Sequence, residues 1–169
     1  PPYPQPENTM EKTLIILKPD AVQRGLMGRI ISRFEEKGLQ IVGAKLMHIS
    51  HELAAKHYAD HASKPFYPGL VKFMTSSPVL VLAIRGNGAV TICRNLMGAT
   101  FGSKAAGGTI RGDLAVNIGR NVIHGSDAVE SAHRFFNGED NGFFHLFRAG
   151  SGIRNGDGDH IERGIRQEF

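Results

Sequence analysis

Thr13-Leu14-Ile15-Ile16-Leu17, closed by Lys18-Pro19-Asp20, is the stretch from which the rest of the chain can be ordered. A short, continuous, β-branched apolar run predicts a buried, central strand rather than a half-exposed one. Lys18-Pro19-Asp20 stops it, which leaves Lys18 at a strand end. Next, Ile30, Ile31 and Phe34 recur at helical spacing between Met27 and Lys37, with Gly38 as the stop signal. Leu39 to Ile49 reads as a second strand. Ser50 can cap a helix carrying Leu53, Ala54, His57 and Tyr58. A second short helix is expected after Pro65, with Phe66, Leu70, Phe73 and Met74 on one side, so that the two helices form a hairpin suited to walling a pocket.

Val79 to Ile84 reads as a buried strand closed by Gly86-Asn87-Gly88, and Ala89 to Met97 as a helix ended by Gly98. A polar, glycine-rich loop follows from Ala99 to Thr109, and Leu114 to Ile118 is expected to supply the fourth strand. Asn121-Val122-Ile123-His124-Gly125-Ser126-Asp127 then reads as a polar turn opening the last helix, Asp127 to Phe136, with Asp127 and Glu130 at N-cap and N3 spacing. This order of elements predicts an α+β fold: a ferredoxin-like α/β sandwich with a four-stranded antiparallel sheet covered by helices.

The length, 169 residues, fits one domain. A hydrophobic share of 41% against 21% charged residues is that of a globular chain and excludes disorder throughout. The net charge is +4, yet the segment from 137 onward carries four Arg against six Asp and Glu, so the part before it holds sixteen basic residues against ten acidic, or +6. That excess suits a polyanionic partner without separating nucleotides from nucleic acid or an acidic membrane surface. A single cysteine, Cys93, excludes an intrachain disulfide, fits a reducing intracellular compartment, and is expected to be a small buried hydrophobe. No window approaches the roughly 20 apolar residues of a membrane span, so membrane insertion and secretion are disfavoured and a cytoplasmic location is expected. Three parts are expected: a flexible N-terminal extension over 1–10, a domain over 11–136 and a tail over 137–169. Met10-Glu11-Lys12 reads as a natural start. In the tail, Phe143, Phe144, Leu146 and Phe147 form one apolar cluster and His160 to Phe169 can form a short amphipathic helix.

A lone histidine in a turn is ordinarily incidental, and His124 gains weight from its company. Near neutral pH an imidazole lone pair is available to attack phosphorus. Phosphoryl transfer needs such a nucleophile in line with the phosphorus and positive groups around the phosphate oxygens. Arg94 and Arg111 can grip phosphate oxygens in pairs, and Thr100 adds a neutral donor.

Lys18-Pro19-Asp20, Thr109 to Asp113 and Asn121 to Asp127, in this order and spacing, closely resemble the nucleoside diphosphate kinase family, from about Glu11 to Arg134. The resemblance implies ping-pong transfer of the γ-phosphate of ATP to nucleoside and deoxynucleoside diphosphates, which maintains triphosphate pools, with His124 phosphorylated on the way. By the same resemblance Arg94, Thr100 and Arg111 hold phosphates, Lys18 and Asn121 bind the ribose 3′ hydroxyl and a nearby phosphate oxygen, and Tyr58 packs close to the histidine. Phe66 stacks on the base with Leu70 beside it, although both positions also suit ordinary helix packing. Mg²⁺ would bridge the nucleotide phosphates, with Asp127 a water-mediated partner and no direct protein ligand. The implied partners are nucleoside di- and triphosphates and a homo-oligomer, hexameric or tetrameric, built from dimers; nucleic acid is not expected as the main partner.

The match breaks at Phe135, where the family carries a Glu bonded to the imidazole and to the serine matching Ser126; losing such a partner costs a factor of about ten to a hundred at comparable sites. Glu139, a turn further on, could substitute only if the helix continues past Asn137-Gly138. The aromatic C-terminal segment of the family is also missing, and the chain has no Trp. Three other motifs fail: Gly98 to Lys104 is one residue short of a P-loop and lacks the following Ser or Thr; His57 and His61 share i, i+4 spacing without the metalloprotease Glu; and the aromatic strand signature of RNA-binding modules is absent. Two alternative functions remain: a catalytically weak nucleotide-binding relative acting as an interaction module, and a basic nucleic-acid-binding protein.

Overall fold

The structure, a computed structural model, describes residues 10–137. Four antiparallel strands, β1 (Met10–Leu17), β2 (Gln40–Met47), β3 (Val79–Asn87) and β4 (Ile123–Gly125), form one sheet in the order β2-β3-β1-β4. Around it lie α1 (Pro19–Gln23), α2 (Met27–Glu36), α3 (His51–His57), α4 (Tyr67–Met74), α5 (Ala89–Met97), α6 (Ile110–Leu114) and α7 (Val129–Asn137). The expected ferredoxin-like α+β fold with its central first strand is the observed one.

β1 is continuously apolar because both its faces are covered. Ile15 and Leu17 pack into one core with Ile30 and Phe34 of α2 and Cys93 and Met97 of α5. Leu14 and Ile16, pointing the other way, pack with Ala54 and Tyr58 at α3 and Met74 of α4. Full burial of such side chains contributes about 1.5–3 kcal/mol each. Two local signals act as read. Ser50 Oγ accepts the Leu53 amide at 3.1 Å and caps α3. Gly38, at φ 89°, ends α2 while Leu39 N donates back to Phe34 O at 3.1 Å.

The fourth strand is not where the sequence placed it. Leu114 closes helix α6, Val116 and Ile118 are exposed, and the strand that pairs with β1 is Ile123–Gly125. Thr109 explains the helix: its hydroxyl accepts the Gly112 amide at 3.0 Å, and Ile110 and Leu114, four apart, are both buried. The run Leu114 to Ile118 is therefore the end of a helix followed by a loop. Two boundaries also move. β3 continues through Gly86 to Asn87 because those residues pair with Glu11 and Met10. The last helix begins at Val129, two residues after Asp127, whose Oδ1 accepts from Ser131 Oγ at 2.7 Å. The expectations for 1–9 and for the tail, including Glu139, the phenylalanine cluster and the helix at His160, lie outside the described residues.

Candidate active site

His124 sits in β4 itself, opposite Ile16 of β1, rather than in a turn after a strand. Side chains opposite each other in an antiparallel pair point to the same face. The imidazole therefore faces the α3 side of the sheet, where Tyr58 lies, while Ile123 and Val122 enter the other core. Gly125 completes the placement: a Cβ there would stand 2.7 Å from Met97 Sδ and 2.9 Å from Ile15 Cδ1, so only glycine lets β4 lie this close to α5.

Just before the histidine the backbone turns sharply. Ile123 N donates to Asn121 O at 2.7 Å, the i to i+2 bond of a γ-turn, and Val122 at its centre has φ 61°. A β-branched residue in the left-handed region costs about 1–3 kcal/mol and persists only when its surroundings over-determine it. Here they do. Lys18 N donates to Val122 O at 2.9 Å, and Val122 N donates to Asp20 Oδ2 at 3.1 Å. Buried Arg111 donates through Nε to Asn121 O at 3.3 Å and through its terminal nitrogens to Ile123 O at 2.6 Å and Gly98 O at 3.1 Å.

The same residues set the polar wall. Lys18 Nζ donates to Asn121 Oδ1 at 2.7 Å, and Asn121 Nδ2 donates to Thr100 O at 2.9 Å. Burial, reinforced by Arg111 and opposed by Asp20, brings the Lys18 pKa down to about 8. Burial, with Arg94 nearby, brings that of Arg111 down to about 10, still far above neutral. Arg94, in the last turn of α5, is half-buried and its side chain makes no hydrogen bond among the described residues, so its guanidinium is the one most available to an incoming oxygen. Thr100 is exposed; its hydroxyl likewise makes no hydrogen bond among the described residues.

On the opposite side His124 meets two rings from the end of α3, His57 at 5.1 Å and Tyr58 at 6.0 Å between centroids, both edge to face. Tyr58 is buried, its hydroxyl has no partner among the described residues, and burial raises its pKa far above the usual range. From Tyr58 the rings continue to His61 at 6.5 Å and from His61 to Phe66 at 5.7 Å. Phe66 is 56% exposed, whereas Leu70, in α4, packs against the core. Ser126, two residues after the histidine, is half-buried and its amide donates to Leu14 O at 3.1 Å.

The electrostatic result concerns His124. Burial first, then neighbouring His57 and the positive charges of Lys18, Arg111 and Arg94, hold its pKa well below the ordinary imidazole value, so the ring is neutral and its lone pair free at pH 7. Asp127 is exposed, and the Ser131 hydroxyl together with nearby Arg94 keeps its carboxyl below the usual range. Among the described residues no three His, Cys, Asp or Glu side chains could cage a metal.

Of the expected residues, Lys18, Arg94 and Arg111 bring their charges close to His124, Asn121 is bonded to Lys18 and to Arg111, Tyr58 meets the ring edge to face, and Thr100 is tied in only through its carbonyl, on Asn121. Asp20, His57 and Val122 were not anticipated as site residues. Asp20 had a signal, a carboxylate two residues beyond a site lysine, and His57 had one too, as the neighbour of Tyr58. Val122 had none, since valine is among the last residues expected at positive φ.

A ferredoxin-like α+β sheet that presents a neutral histidine to two arginines and a lysine defines a phosphate-handling domain. A family model described as Nucleoside diphosphate kinase matches residues 11–140. A nucleoside diphosphate kinase from Desulforamulus reducens is 56% identical over 135 residues, covering 78% of this chain and 91% of that protein. One from Staphylococcus epidermidis is 55% identical over 125 residues, covering 74% and 84%. Among solved structures, the Halobacterium salinarum nucleoside diphosphate kinase in complex with CDP matches with a TM-score of 0.73 and 50% identity, over 75% of this chain and 85% of that one. The Encephalitozoon cuniculi enzyme matches with 0.73 and 45%, over 75% and 86%. The chain belongs to the nucleoside diphosphate kinase family.

Proposed function

We propose that this nucleoside diphosphate kinase works in two half-reactions through His124. The observation that carries the reading is an imidazole, half-buried on β4, within a rim of Lys18, Arg94 and Arg111 that keeps its pKa low. The ring nitrogen attacks the γ-phosphorus of ATP, the N–P bond forms as the bond to the β–γ bridging oxygen breaks, and ADP leaves. A terminal phosphate oxygen of a nucleoside or deoxynucleoside diphosphate then attacks the phosphohistidine and restores the imidazole. Arg94 offers its free donors to the transferred group, and Arg111, anchored on three carbonyls, contributes its remaining N–H groups and its charge. Lys18 and Asn121 bind the ribose hydroxyl and an adjacent oxygen, Thr100 adds a donor, Tyr58 and Ser126 flank the ring, and Phe66 and Leu70 receive the base. CDP bound to the Halobacterium salinarum relative supports a nucleotide in this pocket. Mg²⁺ would be held by the nucleotide phosphates and would neutralise their charge, and Asp127 would be its water-mediated partner.

The residues 11–136 form the catalytic domain and the tail begins at 137. A cytoplasmic location is supported by the single cysteine, Cys93, which is free and buried. The outer edge of β2, unpaired among the described residues and with Leu46 56% exposed, supports a homo-oligomer built through self-association.

Single-turnover incubation with γ-labelled ATP and Mg²⁺ tests the mechanism. Acid-labile label is expected on the native chain, not on His124→Ala, and is discharged as GTP by GDP. Nucleotide binding without label would replace this reading with that of a binding module.

A further inference from the structure

The motif Lys18-Pro19-Asp20 holds one residue that the phosphoryl chemistry does not use. Asp20 is 5% exposed, its Oδ2 accepts the Val122 amide at 3.1 Å, and its Oδ1 has no partner among the described residues. Burying a carboxylate with one oxygen unsatisfied is unfavourable, so the bond made by the other oxygen must matter. That bond falls on the central residue of the γ-turn, at φ 61°. The Lys18 amide grips the other end of the same residue, Val122 O, at 2.9 Å. Two residues of one motif, separated by a rigid proline, thus clamp a single strained valine from both sides. Val122 lies between Asn121, which bonds Lys18, and Ile123-His124, which enter the sheet.

We propose that Asp20 is a positioning residue that holds Val122 in its left-handed conformation and thereby aims Asn121 and His124 at the nucleotide. If the clamp is lost, Val122 relaxes toward negative φ and the peptide planes on either side rotate. The two side chains then leave their common rim, although each remains present. This inference rests on phosphorylation of His124, and acid-labile labelling of the native chain but not of His124→Ala establishes that first.

The test is a double-mutant cycle between Asp20 and Val122, read as the rate of His124 phosphorylation at saturating ATP. Asp20→Ala is expected to slow it by about ten- to a hundredfold. Asp20→Asn, which keeps an acceptor oxygen, is expected to lose less than Asp20→Ala. In a Val122→Gly background, where left-handed φ carries no penalty, adding Asp20→Ala is expected to cost no more than about twofold, whatever Val122→Gly costs alone. An undiminished effect of Asp20→Ala in the glycine background overturns the proposal, and so does an Asp20→Ala rate equal to that of the native chain. A direct effect of the carboxylate on Lys18 would instead raise the KM for ATP and recover at lower pH. That pattern also overturns it. Should Asp20→Ala not fold, as judged by circular dichroism, the same cycle is run with Asp20→Leu, which is close to aspartate in size and offers no acceptor to the Val122 amide.

Discussion

Arg94 and Arg111 are both arginines beside one imidazole, but they do different work because they are differently tied. Arg111 is buried and bonded to three backbone carbonyls from two segments, so it builds the site as well as serving it. Truncating it removes three hydrogen bonds from a charged donor, each at about 1.5–3 kcal/mol, although Asn121 O keeps the Ile123 amide. Arg111→Ala should lose activity and stability together, with at least about 3 kcal/mol missing in denaturant titration. Arg94→Ala should lose activity alone, by about ten- to a hundredfold in kcat/KM, with unfolding shifted by less than about 1 kcal/mol. Equal destabilisation by the two substitutions would contradict this division. The pH profile belongs to the same scale. His124 stays neutral well below pH 6.5, so the acid limb of kcat/KM should lie below the value for a free histidine. Lys18 loses its proton near 8, so binding of nucleotide phosphates should weaken as pH rises through that value, and Lys18→Met should remove this alkaline limb. The stability sign is opposite. The folded chain gives up the Lys18 proton near 8 and the unfolded chain near 10.5, so between those values the unfolded state binds more protons and this lysine's contribution to stability rises with pH.

Elements matter here through how closely they approach. β4 lies against α5 only because position 125 is glycine. Gly125→Ala should force Met97 and Ile15 apart from the strand, costing about 1–3 kcal/mol and moving His124 with it, as thermal unfolding and turnover measured on the same preparation would report. An alanine variant as stable and as active as the native chain would show that β4 has slack. This contact also marks where the sequence stopped being readable. Thr13 to Leu17 and Val79 to Ile84 announce themselves because strands covered on both faces are apolar throughout. β4 is three residues long and its partner lies more than a hundred residues away, so no local pattern can reveal it. Leu114 to Ile118 imitated a strand because the last apolar residue of a helix happened to precede exposed Val116 and Ile118. The site residues were legible by type and spacing. Their support was not: Val122 at positive φ contradicts its own propensity and is imposed by Lys18, Asp20 and Arg111 from elsewhere in the chain.

At the scale of the whole described molecule, two cores share one sheet. Ile15 and Leu17 serve one and Leu14 and Ile16 the other, so neither core can be lost without dissolving the strand that the second depends on. The chain lacks Trp, and among the described residues its tyrosines, Tyr58 and Tyr67, both pack in the core on the His124 side. Tyrosine fluorescence therefore reports chiefly on that face, while far-ultraviolet circular dichroism reports on the backbone of the whole fold. If β1 and β3 couple the faces as the packing implies, the two signals should follow one denaturant transition with one midpoint. Ile15→Ala and Ile16→Ala, adjacent residues that open cavities on opposite faces, should each lower that midpoint by about 2–5 kcal/mol in equivalent stability. In both variants the two probes should still coincide, because a cavity on either face loosens the same strand. Separate midpoints, with the tyrosine signal moving first in Ile16→Ala and the dichroism first in Ile15→Ala, would mean that the His124 face can melt on its own while the α2 and α5 face stands. The rim around His124 depends on both, since Lys18 and Asn121 follow strands or turns anchored in the first core and Tyr58 belongs to the second. A face that melted independently would disarm the enzyme before the fold was lost, so activity measured along the same titration should vanish with the common midpoint and not ahead of it.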